Sequence, residues 1–138
     1  MREFLANSCP FCAMPLERIR EACEYALVVD DAFPVSRGHT LVIPRRHTAD
    51  FFDLTREETT SLFQLLRQAR TRLDSSLKPS GYNIGVNVGQ IAGQTVMHVH
   101  VHLIPRYMGD TPNPVGGVRN VIPGKGCYEV SGFSGEST

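Results

Sequence analysis

The sequence lacks a long apolar run, an excess of charge of either sign and the apolar stretch of an export signal. Its longest apolar run is about five residues, 25–29, whereas a membrane-spanning helix needs about 18. Fourteen Lys and Arg balance 14 Asp and Glu, which removes the strongly basic footprint of a general nucleic-acid binder. The N-terminus has no signal-peptide core. We therefore expect a cytoplasmic protein that binds neither membranes nor nucleic acids.

The chain is long enough for one domain with its own core. Its 138 residues are 41% hydrophobic, which is typical of a globular protein and argues against disorder. The four cysteines could form two disulfides in a secreted chain, but without an export signal we favour metal binding or free thiols. We expect a single domain over residues 1–130 and a loose tail over residues 131–138.

Local patterns predict several strands and one long helix. A capping box of Thr55 and Glu58 begins a helix that apolar residues at helical spacing extend over residues 56–77. The predicted strands cover residues 19–30 (two short strands or one interrupted strand), 40–43, 81–88 and 96–104. Pro44 and Pro105 are expected to stop two of these strands, and the strand at 81–88 is expected to bury one face. The pattern favours an α+β fold with a mainly antiparallel sheet, one long helix and one short helix.

Three of the five histidines occupy alternate positions in one predicted strand. A strand would place His98, His100 and His102 on one face, with neighbours about 6–7 Å apart, and turn the apolar residues between them into the core. Three charged imidazoles on one face would repel each other, so the row favours a functional site over a structural strand. It suits either metal binding or nucleophilic and acid–base chemistry near neutral pH.

The loop before the histidine row is suited to an anion. Gly89 and Gly93 allow the backbone to approach a ligand closely, and Gln94 and Thr95 add side-chain donors. Backbone amides in such a loop can hold a phosphate group. A Walker-type loop is a poor alternative, because no Lys precedes Thr95 and a strand is expected to follow.

Cys9 and Cys12 have the spacing of half a zinc site. No second pair of this spacing occurs in the sequence, so the remaining ligands would have to be histidines or carboxylates. A thioredoxin-like redox pair is the alternative, but such a pair normally lies beside a βαβ unit, which the pattern does not predict. Cys23 and Cys127 are interpreted as ordinary thiols.

Taken together, these motifs resemble the histidine triad family. Residues 98–104 are similar to the family signature of three histidines alternating with hydrophobic residues. The sequence at 94–96 precedes the signature as in the family, and residues 38–47 resemble the family's upstream strand. The resemblance covers roughly residues 9–107, and the N-terminal Cys-x-x-Cys is similar to that of bacterial zinc-containing members.

The resemblance implies a fold and a class of reaction. The fold is a five-stranded antiparallel sheet with helices on one side, usually paired as a homodimer. The reaction releases a nucleoside monophosphate from dinucleoside polyphosphates, such as diadenosine tetraphosphate, or from nucleoside phosphoramidates. The implied substrate is a purine nucleotide.

The same resemblance implies a role for individual residues. His100 would be the nucleophile that attacks the α-phosphorus and forms a nucleotidyl-histidine, which water then cleaves. His102 would donate to a phosphate oxygen or to the leaving group, and His39 would support the row. Asp31 would accept hydrogen bonds from the ribose hydroxyls. The other implied substrate contacts are Asn87, Gln94, Thr95 and Val96.

The zinc-containing members imply which histidines complete the metal site. Cys9 and Cys12 would be joined by His47 and His98. A Cys2His2 tetrahedron is closed, so the zinc would be structural and would have no open position for water. It would tie the N-terminal segment to the histidine row.

Several alternatives stay open at the level of sequence. Asn87 matches one branch of the family where another branch has Gln, which leaves both dinucleoside polyphosphates and phosphoramidates as substrates. An AMP-binding regulatory protein with little turnover is the alternative function, and a triad that itself binds zinc is a third. Arg106 and Arg119 are weaker candidates for phosphate contacts, since solvated arginines would explain them equally well.

Overall fold

The structure, a computed structural model, describes residues 8–128, which form a five-stranded antiparallel sheet and one long helix. The elements are β1 (Ile19–Ala22), β2 (Ala26–Asp30), β3 (Thr40–Pro44), α1 (Arg56–Ser76), β4 (Gly81–Val86) and β5 (Val101–Arg106). The strands lie in the order β1-β2-β3-β5-β4. Short 3-10 turns occur at Leu16–Arg18, Phe51–Asp53, Gln90–Ala92 and Gly117–Val121. The predicted fold class is confirmed, and the predicted tail at 131–138 lies outside the described residues.

Helix α1 begins where the sequence predicts. The Thr55 hydroxyl accepts from the Glu58 N–H, and the Glu58 carboxylate accepts from the Thr55 N–H, which completes the capping box. The helix buries one apolar face against the sheet, formed by Leu62, Leu65, Ala69 and Leu73. It ends at Ser76, one residue before the predicted end. No helix among residues 8–128 combines the length and the apolar character needed to cross a bilayer.

The central strands are buried on both faces of the sheet. In β2, Ala26 and Val28 pack under α1, whereas Leu27 and Val29 point to the opposite face, as the two-residue period of a strand requires. Phe11 and Met14 of the N-terminal segment pack against that opposite face, to which Ile19 of β1 also contributes. The sheet therefore draws the Cys-x-x-Cys segment onto the face away from α1.

The strand that carries the histidines differs from the prediction at both ends. β5 begins at Val101 and not at residue 96, so only His102 lies within it. It continues through Pro105, because pairing with β3 stops at Leu103 and Pro105 then has no strand on its β3 side. The Pro105 carbonyl, which points the same way as its nitrogen, accepts from Ser36 instead of a strand. Pro44 likewise forms the last residue of β3 instead of stopping the strand before it.

Strand β4 does not bury one face as predicted. It ends at Val86, two residues early, and forms an edge of the sheet. Ile84 is 51% exposed. Together with Phe51, Phe63 and Val86 it lines an apolar groove of about 240 Å³ between α1 and β4. Because only one neighbour pairs with an edge strand, this side of the molecule keeps free backbone groups beside an apolar surface.

Candidate functional site

The histidine row lies on the sheet face away from α1. His102 is directly opposite Leu41 of β3, and opposite residues in an antiparallel pair point to the same face. Leu41 belongs to the apolar cluster that the N-terminal segment covers. His98 and His100 precede β5, where the chain leaves the sheet and the Val99 N–H donates to the Thr48 carbonyl. As predicted, Val99, Val101 and Leu103 are buried, and Val101 and Leu103 belong to the core under α1.

The structure brings together the four predicted metal ligands, Cys9, Cys12, His47 and His98. Sγ of Cys12 lies 3.2 Å from Nδ1 of His47 and 3.6 Å from Nδ1 of His98. Sγ of Cys9 is also 3.6 Å from Nδ1 of His98, and the two imidazole nitrogens are 3.2 Å apart. A tetrahedral zinc ion with ordinary Zn–S and Zn–N bonds separates its ligand atoms by about 3.3–3.8 Å. The donor set and its spacing therefore fit a tetrahedral metal ion.

The protonation of His98 is also suited to a metal ligand. Its Nε2–H donates to the Pro44 carbonyl at 2.7 Å, which leaves the lone pair on Nδ1, facing the two thiols. Burial of this fully buried ring lowers the pKa of His98, so the neutral form is favoured. Burial, and then the hydrogen bond with Cys9, raises the pKa of the Cys12 thiol. A bound cation would favour the thiolate and release that proton.

His100 is held in one tautomer by a backbone carbonyl. Its Nδ1–H donates to the His98 carbonyl at 2.8 Å, so its lone pair is on Nε2. The Phe11 ring stands edge-on to it, with 5.0 Å between the ring centroids. The imidazole is 8% exposed. A neutral imidazole fixed in this way has one free nitrogen for nucleophilic attack.

A chain of hydrogen bonds sets the tautomers of the other two histidines. The Val35 N–H donates to Nδ1 of His39 at 3.1 Å, so the proton of neutral His39 is on Nε2. That Nε2–H donates to Nδ1 of His102 at 2.9 Å, which places the proton of neutral His102 on Nε2. Burial lowers the pKa of both histidines, while Asp31 acts in the opposite direction on each. His102 therefore keeps a donor on its outer nitrogen.

Asp31 lies against the histidine pair. Its Oδ2 is 3.3 Å from Nε2 of His39 and 3.9 Å from Nδ1 of His102, and its Oδ1 accepts from the Phe33 N–H. These three side chains also have the spacing of metal ligands. A metal on Nε2 of His39 would move its proton to Nδ1, opposite the Val35 N–H, so that two donors would face each other. The hydrogen bonds therefore favour the tautomers assigned to His39 and His102 over a second metal site.

The predicted phosphate-binding residues fall into two groups. The Gln94 side chain is buried, accepts from the Gly89 N–H and donates to the Ala49 and Val96 carbonyls. It shapes the loop, and its direct contact with a substrate stays a prediction, as does that of Val96. Asn87 and Thr95 form no side-chain hydrogen bond within residues 8–128, which leaves their polar atoms available to a ligand.

The two arginines considered for phosphate contacts have other partners. The Arg106 guanidinium makes a bidentate ion pair with Asp110 and donates to Asn83. The Arg119 guanidinium lies 4.6 Å from the centre of the Tyr128 ring. Both contacts favour a role in holding the C-terminal segment.

Sequence reasoning missed the backbone groups that orient the histidines. The Val35 amide and the Pro44 carbonyl act through main-chain atoms, which no side-chain pattern reveals. It also missed Phe11, which lies between the two cysteines and contacts both His98 and His100. Its position inside the Cys-x-x-Cys was the one available signal.

The sequence and the structure of the chain are both similar to those of one family of known proteins. The sequence profile of the HIT domain matches residues 19–109. An uncharacterised HIT-like protein of Mycoplasma genitalium is 41% identical over 112 residues, covering 78% of this chain and 79% of that protein. The asymmetrical bis(5'-nucleosyl)-tetraphosphatase of Schizosaccharomyces pombe is 46% identical over 77 residues, covering 56% of this chain and 42% of that protein. The crystal structure of a zinc-bound histidine triad family protein from Mycobacterium smegmatis superposes with a TM-score of 0.69 at 38% identity, covering 77% of this chain and 80% of that one.

Proposed function

The chain belongs to the HIT domain family, and we propose that it is a nucleotide hydrolase or nucleotidyl transferase with His100 as its nucleophile. The observation that carries the proposal is the tautomer of His100. Its Nδ1–H is engaged by the His98 carbonyl, so the Nε2 lone pair is free to attack phosphorus. The alternative, an AMP-binding regulatory protein, would not need this arrangement.

The proposed reaction has two steps. Nε2 of His100 forms a bond to the α-phosphorus, the bond from phosphorus to the leaving oxygen or nitrogen breaks, and its electron pair goes to the leaving group. The positive charge on the substituted imidazole is stabilised by the Nδ1–H bond to the His98 carbonyl. His102 donates from Nε2 to the negative charge that develops on the leaving group. Water then attacks phosphorus, releases the nucleoside monophosphate and restores His100.

The substrate we propose is a purine nucleotide of the dinucleoside polyphosphate class or the phosphoramidate class. The tetraphosphatase relative supports the first class, although the chain spans under half of that protein. Asn87 and Thr95 would contact the α-phosphate, and Asp31 would reach the ribose once the substrate displaces its contacts with the histidines. We keep the cytoplasm as the predicted location.

We propose that Cys9, Cys12, His47 and His98 bind a structural zinc ion, as in the bacterial zinc-containing branch. The fit of the four donors to a tetrahedron supports this, and so does the zinc-bound relative. Zinc would fix the N-terminal segment against the row of histidines. His98 would then hold a metal with its side chain and the nucleophile with its carbonyl.

We propose that the active form is a homodimer. The apolar groove between α1 and the β4 edge supports this, because exposed Phe63 and Ile84 lie beside unpaired strand groups. An Ile84→Glu variant should be monomeric in light scattering after size exclusion, whereas Ile91→Glu, a change at a fully exposed residue outside the groove, should leave the mass unchanged. A monomeric wild type would refute the dimer.

The function is tested by AMP release from diadenosine tetraphosphate and from adenosine phosphoramidate. We expect the intact chain to release AMP from at least one of them and the His100→Ala variant to release none while still binding AMP in calorimetry. Full activity in the variant would refute the nucleophile. No release by the intact chain, with AMP still bound, would favour the regulatory alternative.

A further inference from the structure

A second cavity adjoins the histidine pair along the sheet. It has a volume of about 360 Å³ and is lined on one side by Val35 and Ser36, next to the amide that holds His39. Its floor is Ile104 and Asn83, which are directly opposite each other in β5 and β4. Ile104 follows His102 by two residues on the same strand face, a distance of about 6–7 Å.

The path from His102 to this cavity is open. Gly85 is directly opposite His102 in β4, and a side chain placed there would meet nothing within 4 Å. A ligand bound at His100 and His102 therefore has open space over Gly85, in the direction of the cavity. The far wall is formed by the segment after β5, including Thr111 and Pro114.

The cavity combines a mainly apolar surface with several polar side chains, and its charged side chains are balanced. The charge of Arg106 is balanced by its bidentate pair with Asp110, so the cavity does not offer a free cation to a phosphate group. Val35, Ile104 and Pro114 supply apolar surface. Asn83 accepts from Arg106 through its Oδ1, which leaves its amide Nδ2 as a donor without a partner among the described residues. Apolar surface beside polar side chains, with no unpaired cation, suits a neutral heterocycle and its sugar more than an anion.

We infer that this cavity binds the nucleoside of the leaving half of a dinucleoside polyphosphate. The inference rests on the proposed function and selects the dinucleoside polyphosphates between its two substrate classes. The α-phosphorus would lie at His100, the remaining phosphates would run past His102 and over Gly85, and the second nucleoside would occupy the cavity. When the bond between the α-phosphorus and its bridging oxygen breaks, the electron pair stays on that oxygen. From diadenosine tetraphosphate the leaving group is ATP and, after hydrolysis, the other product is AMP.

The test measures binding in the His100→Ala background, where the ligand persists. Calorimetry compares diadenosine tetraphosphate with adenosine 5'-tetraphosphate, which has the same phosphates but no second nucleoside. We expect diadenosine tetraphosphate to bind at least tenfold more tightly. Adding Thr111→Trp, which fills the exposed rim of the cavity, should reduce this ratio to about one. The matched control Val118→Trp changes an exposed residue of the same segment outside the lining and should preserve the ratio.

A second variant guards against a misfolded segment. Asn83→Asp keeps an acceptor for Arg106 but replaces the free amide donor with a negatively charged oxygen, so it should also lower the ratio. Equal affinity for the two ligands in the His100→Ala parent, or a ratio that Thr111→Trp and Asn83→Asp leave intact, would overturn the inference. Absence of AMP binding in that parent, with no AMP release by the intact chain, would instead refute the proposed function and the cavity's role with it.

Discussion

Substitution of His39 can show whether its Nε2–H sets the tautomer of His102. Two variants, His39→Gln and His39→Leu, both remove the ring that accepts from the Val35 N–H. The glutamine amide can still donate to Nδ1 of His102 across the 2.9 Å contact, whereas leucine cannot. Without that donor, His102 is free to move its proton to Nδ1 and lose the donor on Nε2 that faces the leaving group.

The size of the effect follows from one hydrogen bond. A bond between neutral groups contributes about 0.5–1.5 kcal/mol, and about 1.4 kcal/mol is a tenfold change in rate. We therefore expect kcat/KM for AMP release to be up to about tenfold lower in His39→Leu than in His39→Gln. Imidazole ¹⁵N spectra should show His102 protonated on Nε2 in the wild type and in His39→Gln only. Equal rates in the two variants, or a wild-type His102 protonated on Nδ1, would refute the role of His39 in setting the tautomer of His102.

Three further outcomes are expected from metal binding, titration and helix capping. Cys12→Ser should lose bound zinc, as measured by metal analysis. At a zinc concentration about 1,000 times the Kd of the wild type for zinc, the variant should have a free energy of unfolding about 4 kcal/mol lower than the wild type in denaturant titration. Retained zinc would contradict the ligand set. Burial lowers the pKa of His39 and of His102 below 6.5, so the acid limb of the kcat/KM profile should have its midpoint below pH 6.5. The contribution of the two neutral histidines to folding stability should be complete above pH 6.5 and should be lost as the pH falls towards the lowered pKa values. A midpoint above pH 6.5 would contradict this assignment. Thr55→Ala should cost about 1 kcal/mol of unfolding free energy by removing the acceptor for the Glu58 N–H, whereas Thr60→Ala, at an exposed position inside α1, should change it by less than about 0.5 kcal/mol.

The sequence was sufficient where side-chain pattern decides the structure. The capping box at Thr55 located the start of α1, and the period of two residues placed Val99, Val101 and Leu103 in the core. The spacing of Cys9 and Cys12 predicted half a zinc site, and the resemblance to zinc-containing family members supplied His47 and His98 as the other two ligands. The helix start and the buried positions follow from local rules about side chains that can be read directly from the sequence.

The strand ends, the role of Gln94 and the histidine tautomers depended on the path of the main chain. Pro105 was expected to end β5, but a proline is tolerated where the adjacent strand has already stopped, and that is a property of the sheet. Gln94 looked like a phosphate ligand, whereas three backbone groups of its own loop and of residue 49 occupy its amide. The tautomers of the histidines could not be predicted at all, because the Val35 amide and the Pro44 and His98 carbonyls set them.

The contact between Cys9 and His98 joins positions 89 residues apart in the chain. Closing so long a loop is entropically unfavourable, and non-local contacts of this kind slow folding. During synthesis Cys9 and Cys12 leave the ribosome long before His98 does. Their contacts with His98 therefore cannot form until most of the domain has been synthesised. The carbonyl that orients the nucleophile belongs to that same late-arriving histidine. A chain truncated before His98 would thus lack both the metal ligand and the nucleophile, so incomplete copies of this length should neither assemble the metal site nor catalyse the reaction.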